Sequence, residues 1–150
     1  MDEIDKRILN HLQKDSQIPA NELAELVGCS RTACWRRIKS MEEAGIIRAK
    51  VALVAREKIG LPVTVFVNIK TNAHDPDWLN EFASVVERFP EITEFYRMSG
   101  DVDYLLKVVV PDIASYDDFY RRLIQSIQLS DVSSNFAMEE IKFTTALPVR

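Results

Sequence analysis

Leu23-Ala24-Glu25-Leu26-Val27-Gly28-Cys29-Ser30-Arg31-Thr32-Ala33-Cys34-Trp35-Arg36-Arg37-Ile38-Lys39 decides the fold of the first half of the chain. Leu23, Ala24, Leu26 and Val27 recur at helical spacing, and Gly28 stands where a left-handed C-cap ends a helix. Ser30 is a favoured N-cap, and from there Cys34, Ile38 and Met41 follow the i, i+4, i+7 pattern of a buried stripe until Gly45. Two helices joined by the short turn Gly28-Cys29-Ser30-Arg31 match a helix-turn-helix. At 100° per residue, Thr32, Arg36, Lys39 and Glu43 fall opposite the buried stripe, with Arg31 and Trp35 flanking it on one side and Arg37 on the other.

Upstream, Ile4, Ile8, Leu9 and Leu12 predict a helix over residues 3–14 with Asp2 as its cap, and Pro19 opens the next helix. Downstream, the apolar and β-branched run 46–54, with Arg48 and Lys50 interspersed, reads as a strand, the wing beside the helices. The connection 56–62, with Gly60 and Pro62, marks a domain boundary, giving a helix-turn-helix domain over 1–60 and a second domain over 61–150. In the second, strands are expected over 63–70, 92–98, 102–110 and 132–145. Amphipathic helices carry Trp78, Leu79, Phe82 and Val86, and then Ile113, Tyr116, Phe119, Tyr120, Leu123 and Ile127. The order β-α-β-β-α-β is that of a ferredoxin-like domain, so the fold class is α+β.

The 150 residues are 47% hydrophobic and 28% charged, a globular composition. No apolar run is long enough to cross a membrane, and the acidic start Met1-Asp2-Glu3-Ile4-Asp5 is unlike a signal peptide, so a cytoplasmic location is expected. The net charge of -4 hides an asymmetry: residues 1–60 hold 11 Lys+Arg against 9 Asp+Glu, residues 61–150 hold 8 against 14. Arg31, Arg36, Arg37 and Lys39 cluster with no acid between them, a basic patch suited to phosphate on a chain that is acidic elsewhere.

Placed in a major groove, the second helix of the motif would present Ser30, Arg31, Thr32, Trp35, Arg36 and Lys39 to double-stranded DNA. Arg36 suits the bidentate recognition of guanine, and Arg31 and Lys39 suit phosphates; Trp35 either stacks on sugar or closes the small core. Enzymatic chemistry has no support. His11 and His74 have no paired acid or cysteine nearby, there is no glycine-rich phosphate loop, and Glu139-Glu140 point to opposite faces of the expected strand. No metal or cofactor is expected. Cys29 and Cys34, five apart, fit no zinc spacing and read as small core residues.

Several segments, in order along nearly the whole chain, resemble the Lrp/AsnC (feast/famine) family. They are Ile4-Asp5-Lys6-Arg7-Ile8-Leu9, Leu23 to Ser30, Cys34-Trp35-Arg36-Arg37-Ile38, Glu42 to Ile47, Ser99-Gly100-Asp101-Val102-Asp103-Tyr104-Leu105-Leu106 and Met138-Glu139-Glu140-Ile141-Lys142. The resemblance implies a winged helix-turn-helix joined to a RAM-type ferredoxin-like domain, and a transcriptional regulator of amino-acid metabolism. It implies homodimers that assemble to octamers on pseudo-palindromic promoter sites, and an amino-acid effector bound between dimers. A ligand-independent architectural DNA-binding protein is the alternative.

Carried over by position, the effector site comprises Ser99, Gly100, Asp101, Asp103 and Tyr104 with Ser133, Ser134, Asn135 and Phe136. Backbone N–H groups around Gly100 suit a carboxylate, and Asp101 or Asp103 suits an ammonium. Equally, Gly100 serves a positive φ and the aspartates hold the turn. The sequence departs from the family's commoner pattern at Trp35, at Arg97, in the glycine-free connection 126–131 and in the polar run Ser133-Ser134-Asn135. These differences disfavour a large aliphatic effector, and in texture the chain is most similar to the cysteine-responsive branch.

Overall fold

The computed structural model describes residues 1–73 and 75–150; His74 lies outside them. The chain divides into two compact units, one made of Met1–Leu53 and Ile141–Arg150, the other of Val54–Glu140.

The first unit holds three helices, α1 (Glu3–Leu12), α2 (Ala20–Val27) and α3 (Arg31–Glu43). Asp2 caps α1 by accepting from the N–H groups of Ile4 and Asp5, while the Asp5 carboxylate accepts from the N–H of Asp2, a reciprocal capping box. Gly28, at φ 75°, closes α2, and the Cys29 N–H returns to the Ala24 carbonyl at 3.0 Å. Ser30 then caps α3 by accepting from the Ala33 N–H. The apolar stripes of the three helices meet in a core of Ile8, Leu9, Leu23, Ala24, Val27, Cys34 and Met41.

Two features of this unit differ from the sequence reading. The strand expected over 46–54 does not form, and this stretch is irregular, without sheet pairing. The N–H groups of Ile46 and Ile47 turn back to the Met41 carbonyl, and among the described residues no neighbouring strand is present to use the β-prone side chains Val51, Leu53 and Val54, which are exposed. The second feature is the segment Ile141–Arg150, which belongs to this unit rather than to the sheet. The Gln13 side-chain amide donates to the Leu147 carbonyl at 3.1 Å and accepts from the Leu147 N–H at 2.6 Å, and Val149 packs on the helical core. The boundary expected after residue 60 also moves. The 3-10 turn Arg56–Ile59 belongs to the second unit, tied there by the Arg56 guanidinium, which donates to the Pro62 carbonyl at 2.6 Å.

The second unit runs β1 (Val63–Lys70), α4 (Pro76–Val86), β2 (Ile92–Arg97), β3 (Tyr104–Val110), α5 (Ile113–Ser126) and β4 (Asp131–Phe136). The strands pair in the order β2-β3-β1-β4, all antiparallel, as the expected ferredoxin-like topology requires. Period-2 alternation sends Val65, Val67, Ile69, Leu106, Val108 and Val110 to one face, against Phe82 and Val85 of α4 and Phe119 and Leu123 of α5. The other face carries Phe66, Asn68, Tyr96, Leu105, Lys107 and Val109, and among the described residues neither helix of this unit packs on it. β4 stops at Phe136, not near residue 145: after the Ala137 N–H reaches the Thr64 carbonyl, the chain outruns the start of β1, which Pro62 precedes.

Candidate functional site: a recognition helix and a glycine-aspartate turn

Helix α3 sorts its own basic residues. Arg37 lies on the side facing α1, where its guanidinium reaches Asp2 at 2.7 Å and Asp5 at 2.8 Å. That clamp depresses the Asp2 carboxyl below its usual range, the Asp5 backbone N–H contributing most and Arg37 next; the same carboxylates, Asp5 first, hold the Arg37 proton more firmly. Arg37 therefore fixes α3 against α1 and is spent as a ligand-reading group. Lys39 is exposed but shares Glu42, at 3.4 Å, with Lys50, at 2.9 Å. Arg31, Thr32, Trp35 and Arg36 are exposed on one face, Trp35 at 59%, and among the described residues Arg31 and Arg36 have no ion-pair partner. Ser30, whose hydroxyl oxygen is engaged in the cap, stands at the start of that face. Arg36 also borders a hollow of about 410 Å³ beside Arg37, Ser40 and Met41.

In the second unit, the turn between β2 and β3 is closed by the Met98 N–H donating to the Asp103 carbonyl at 2.8 Å. Gly100 adopts φ 113°, a conformation that side-chain-bearing residues rarely take. Asp103 ties the turn to β1: its N–H donates to the Ile69 carbonyl at 3.0 Å, and its carboxylate accepts from the Thr71 N–H at 2.8 Å. Tyr104 is a core residue, 4% exposed, with its ring against Trp78, Phe82 and Phe95. Along β4, Ser134 and Phe136 face the helices, where the Ser134 hydroxyl pairs with the Tyr116 hydroxyl and the Phe136 ring stands edge-on to Tyr116. Ser133 and Asn135 point the other way and are exposed.

The sequence-derived set therefore separates by role. Ser99, Gly100, Asp101, Ser133 and Asn135 are exposed, whereas Asp103, Tyr104, Ser134 and Phe136 make contacts within the unit. Ser133 lies towards the end of the sheet that carries the turn, whereas Asn135 pairs with Phe66, further along β1. Ser133 pairs with Asn68 and Val132 with Ile69 on one side of β1, while Tyr104 pairs with Ile69 on the other. Two strand spacings, roughly 10 Å, separate the flanking strands. What residue patterning did not reveal is Arg37's structural duty. Its one sequence signal was its position on the wheel, next to the buried stripe.

Residues 64–147 match the family described as the Lrp/AsnC ligand binding domain, and residues 1–48 match a winged helix-turn-helix DNA-binding family. The chain belongs to the Lrp/AsnC family. It is 49% identical over 150 residues to the DNA-binding transcriptional activator DecR of Escherichia coli K12, covering 99% of both chains. Its fold matches the crystal structure of an AsnC family transcriptional regulator from Agrobacterium tumefaciens with a TM-score of 0.95 at 59% identity, over 99% of this chain and 97% of that one. It also matches a transcriptional regulator from Neisseria meningitidis solved in complex with L-Met, with a TM-score of 0.92 at 33% identity over 99% and 96% of the chains. As a family member the protein is a DNA-binding transcriptional regulator, an α+β chain pairing a helix-turn-helix with a ligand-binding domain. No helix among the described residues is long and apolar enough to cross a membrane.

Proposed function

We propose that the protein regulates genes of amino-acid metabolism in the cytoplasm, reading promoter DNA with α3 and responding to an amino acid held by the Ser99–Asp101 turn and the start of β4. The face of α3 that bears Arg31, Thr32 and Arg36 carries the DNA part of this reading, because its cations are exposed while Arg37 is held by Asp2 and Asp5. Arg36 reads a base edge, with Ser30, Thr32 and Trp35 beside it; Arg31 and Lys39 contact phosphates.

For the effector, the N–H groups about Gly100 take the carboxylate and Asp101 takes the ammonium, with Ser133 and Asn135 supplying further polar contacts. Asp103 positions the turn through Thr71. Because Ser99, Gly100, Asp101, Ser133 and Asn135 are all exposed in one chain, a second copy is needed to enclose a ligand there. The uncovered sheet face, with Phe66 38% and Tyr96 50% exposed, supports pairing into dimers, and dimers assemble up to octamers around the effector sites. The effector acts by favouring one assembly over another.

Thermal unfolding against each of the twenty amino acids tests the effector reading. A site filled at about 100 times its dissociation constant stabilises the fold by roughly 2.7 kcal/mol, a clear shift in melting temperature. No shift with any of them leaves ligand-independent DNA binding as the better reading. For the DNA contact, Arg36→Ala should cost about 1–3 kcal/mol in binding to a target duplex measured by fluorescence anisotropy. Unchanged affinity would remove Arg36 from the interface.

A further inference from the structure

The turn that launches α3 is built from two thiols. Cys29 is the residue before the Ser30 cap and Cys34 is the fourth residue of the helix, the two positions whose side chains pack together as a hydrophobic staple. In this protein the staple is a pair of free cysteines, Cys34 fully buried and Cys29 half-buried, both in the helical core cluster. Cys29 packs against the cluster that holds Cys34, and burial first, with Cys29 close by, pushes the Cys34 thiol up from its ordinary value. Both backbones are pinned. The Cys29 N–H bonds the Ala24 carbonyl at 3.0 Å, and the Cys34 N–H bonds the Ser30 carbonyl at 2.9 Å. Aliphatic side chains would serve a staple as well as thiols do, so packing alone leaves the chemistry of the pair unused.

We propose that Cys29 and Cys34 are a redox-convertible pair, oxidised by hydroperoxides to an intrachain disulfide that alters the DNA-reading end of α3. Cys29 is the thiol that solvent reaches, so it reacts first. It loses its proton to water, and its sulfur attacks one oxygen of the hydroperoxide. The O–O bond breaks, the other oxygen leaves as water or an alcohol after taking a proton, and Cys29 becomes a sulfenic acid. The Cys34 sulfur then attacks the Cys29 sulfur. The S–S bond forms, the S–O bond breaks, and hydroxide departs as water with the Cys34 proton. The two thiols together lose two protons and two electrons, and the hydroperoxide, reduced to water or an alcohol and a second water, takes up both.

A disulfide sulfur pair sits at about 2.05 Å, closer than two thiols in contact, so closure draws Cys29 and Cys34 together. Between them lie Ser30, Arg31 and Thr32: the cap and the first two exposed residues of the reading face. Oxidation therefore disturbs the surface that meets DNA while leaving the second unit untouched.

The test treats the reduced full-length chain with hydrogen peroxide, alkylates remaining thiols and digests with trypsin, which cuts after Arg31, between the two cysteines. A disulfide joins the two resulting peptides and removes two hydrogens. In parallel, affinity for a random-sequence duplex at low salt should fall about tenfold, a change of about 1.4 kcal/mol, and return with dithiothreitol. Cys34→Ala should stop at a Cys29 sulfenic acid that dimedone traps, and Cys29→Ser should leave Cys34 alkylatable and DNA binding insensitive to peroxide. Peptides that stay separate in peroxide-treated protein, or a joined pair with unchanged DNA affinity, overturn the proposal. Because neither readout involves an amino acid, a failed effector screen does not touch it.

Discussion

The two units of the chain bury very different amounts of apolar side chain for their jobs. Among the described residues the helical unit rests on seven buried side chains, of which Cys34 and Ala24 are small. The sheet unit rests on fifteen, among them Phe82, Phe89, Tyr104, Tyr116 and Phe119 in edge-on and tilted aromatic contacts. The helical unit compensates with polar ties. The Asp2–Asp5 capping box closes the start of α1, the Arg37 clamp ties α3 to it, and the Gln13 amide ties Leu147 to α1's end. A unit built in this way draws more of its support from charged and polar groups, and so from pH, than the sheet unit does.

That contrast can be broken by truncating each core. Phe82→Ala should cost about 3–5 kcal/mol and lower the stability of the sheet unit while α1 and α2 keep their amide protection. Leu23→Ala, at about 2–5 kcal/mol, should unfold the smaller unit by itself and abolish DNA binding with the strands still protected. Hydrogen exchange resolved by segment reads both; loss of protection everywhere in either variant would mean that the units do not unfold separately.

A smaller effect sharpens the contrast further. The Asp2 carboxyl titrates lower in the folded chain than in the unfolded one, so its stabilisation is complete above the ordinary carboxylate range near about pH 4 and is lost as pH falls through the lower folded value. Protection of α1 should therefore fall in mild acid before that of β1 and β3, and Asp2→Asn should flatten this dependence. Identical acid profiles for α1 and the strands would count against the polar ties as the helical unit's support.

Much of the fold was legible because local chemistry and tertiary structure agree. Gly28 and Ser30 do at the turn what such residues do in isolation, and the β-α-β-β-α-β order follows from period and punctuation alone. Where the reading failed, something distant decided. Val51, Leu53 and Val54 have strand propensity, but a strand needs a neighbour. Residues 137–145 continue the apolar pattern of β4, yet β1 begins too late to pair with them. The effector set shows the same division. Asp101 and Asp103 are alike in sequence; only the placement of Thr71, 32 residues earlier, turns Asp103 into a tie and leaves Asp101 exposed. Arg36 and Arg37 are likewise adjacent and chemically identical, and a single 100° step on the helix assigns one to the reading face and the other to Asp2 and Asp5.

The clasp of Gln13 on Leu147, with Val149 seated on the helical core, also sets an order of events at the ribosome. Residues 1–53 emerge first, yet their partner segment is synthesised only after every strand of the sheet has been made. A nascent chain can form the three helices early, but it acquires the finished DNA-reading unit only once the ligand-binding unit has been translated in full.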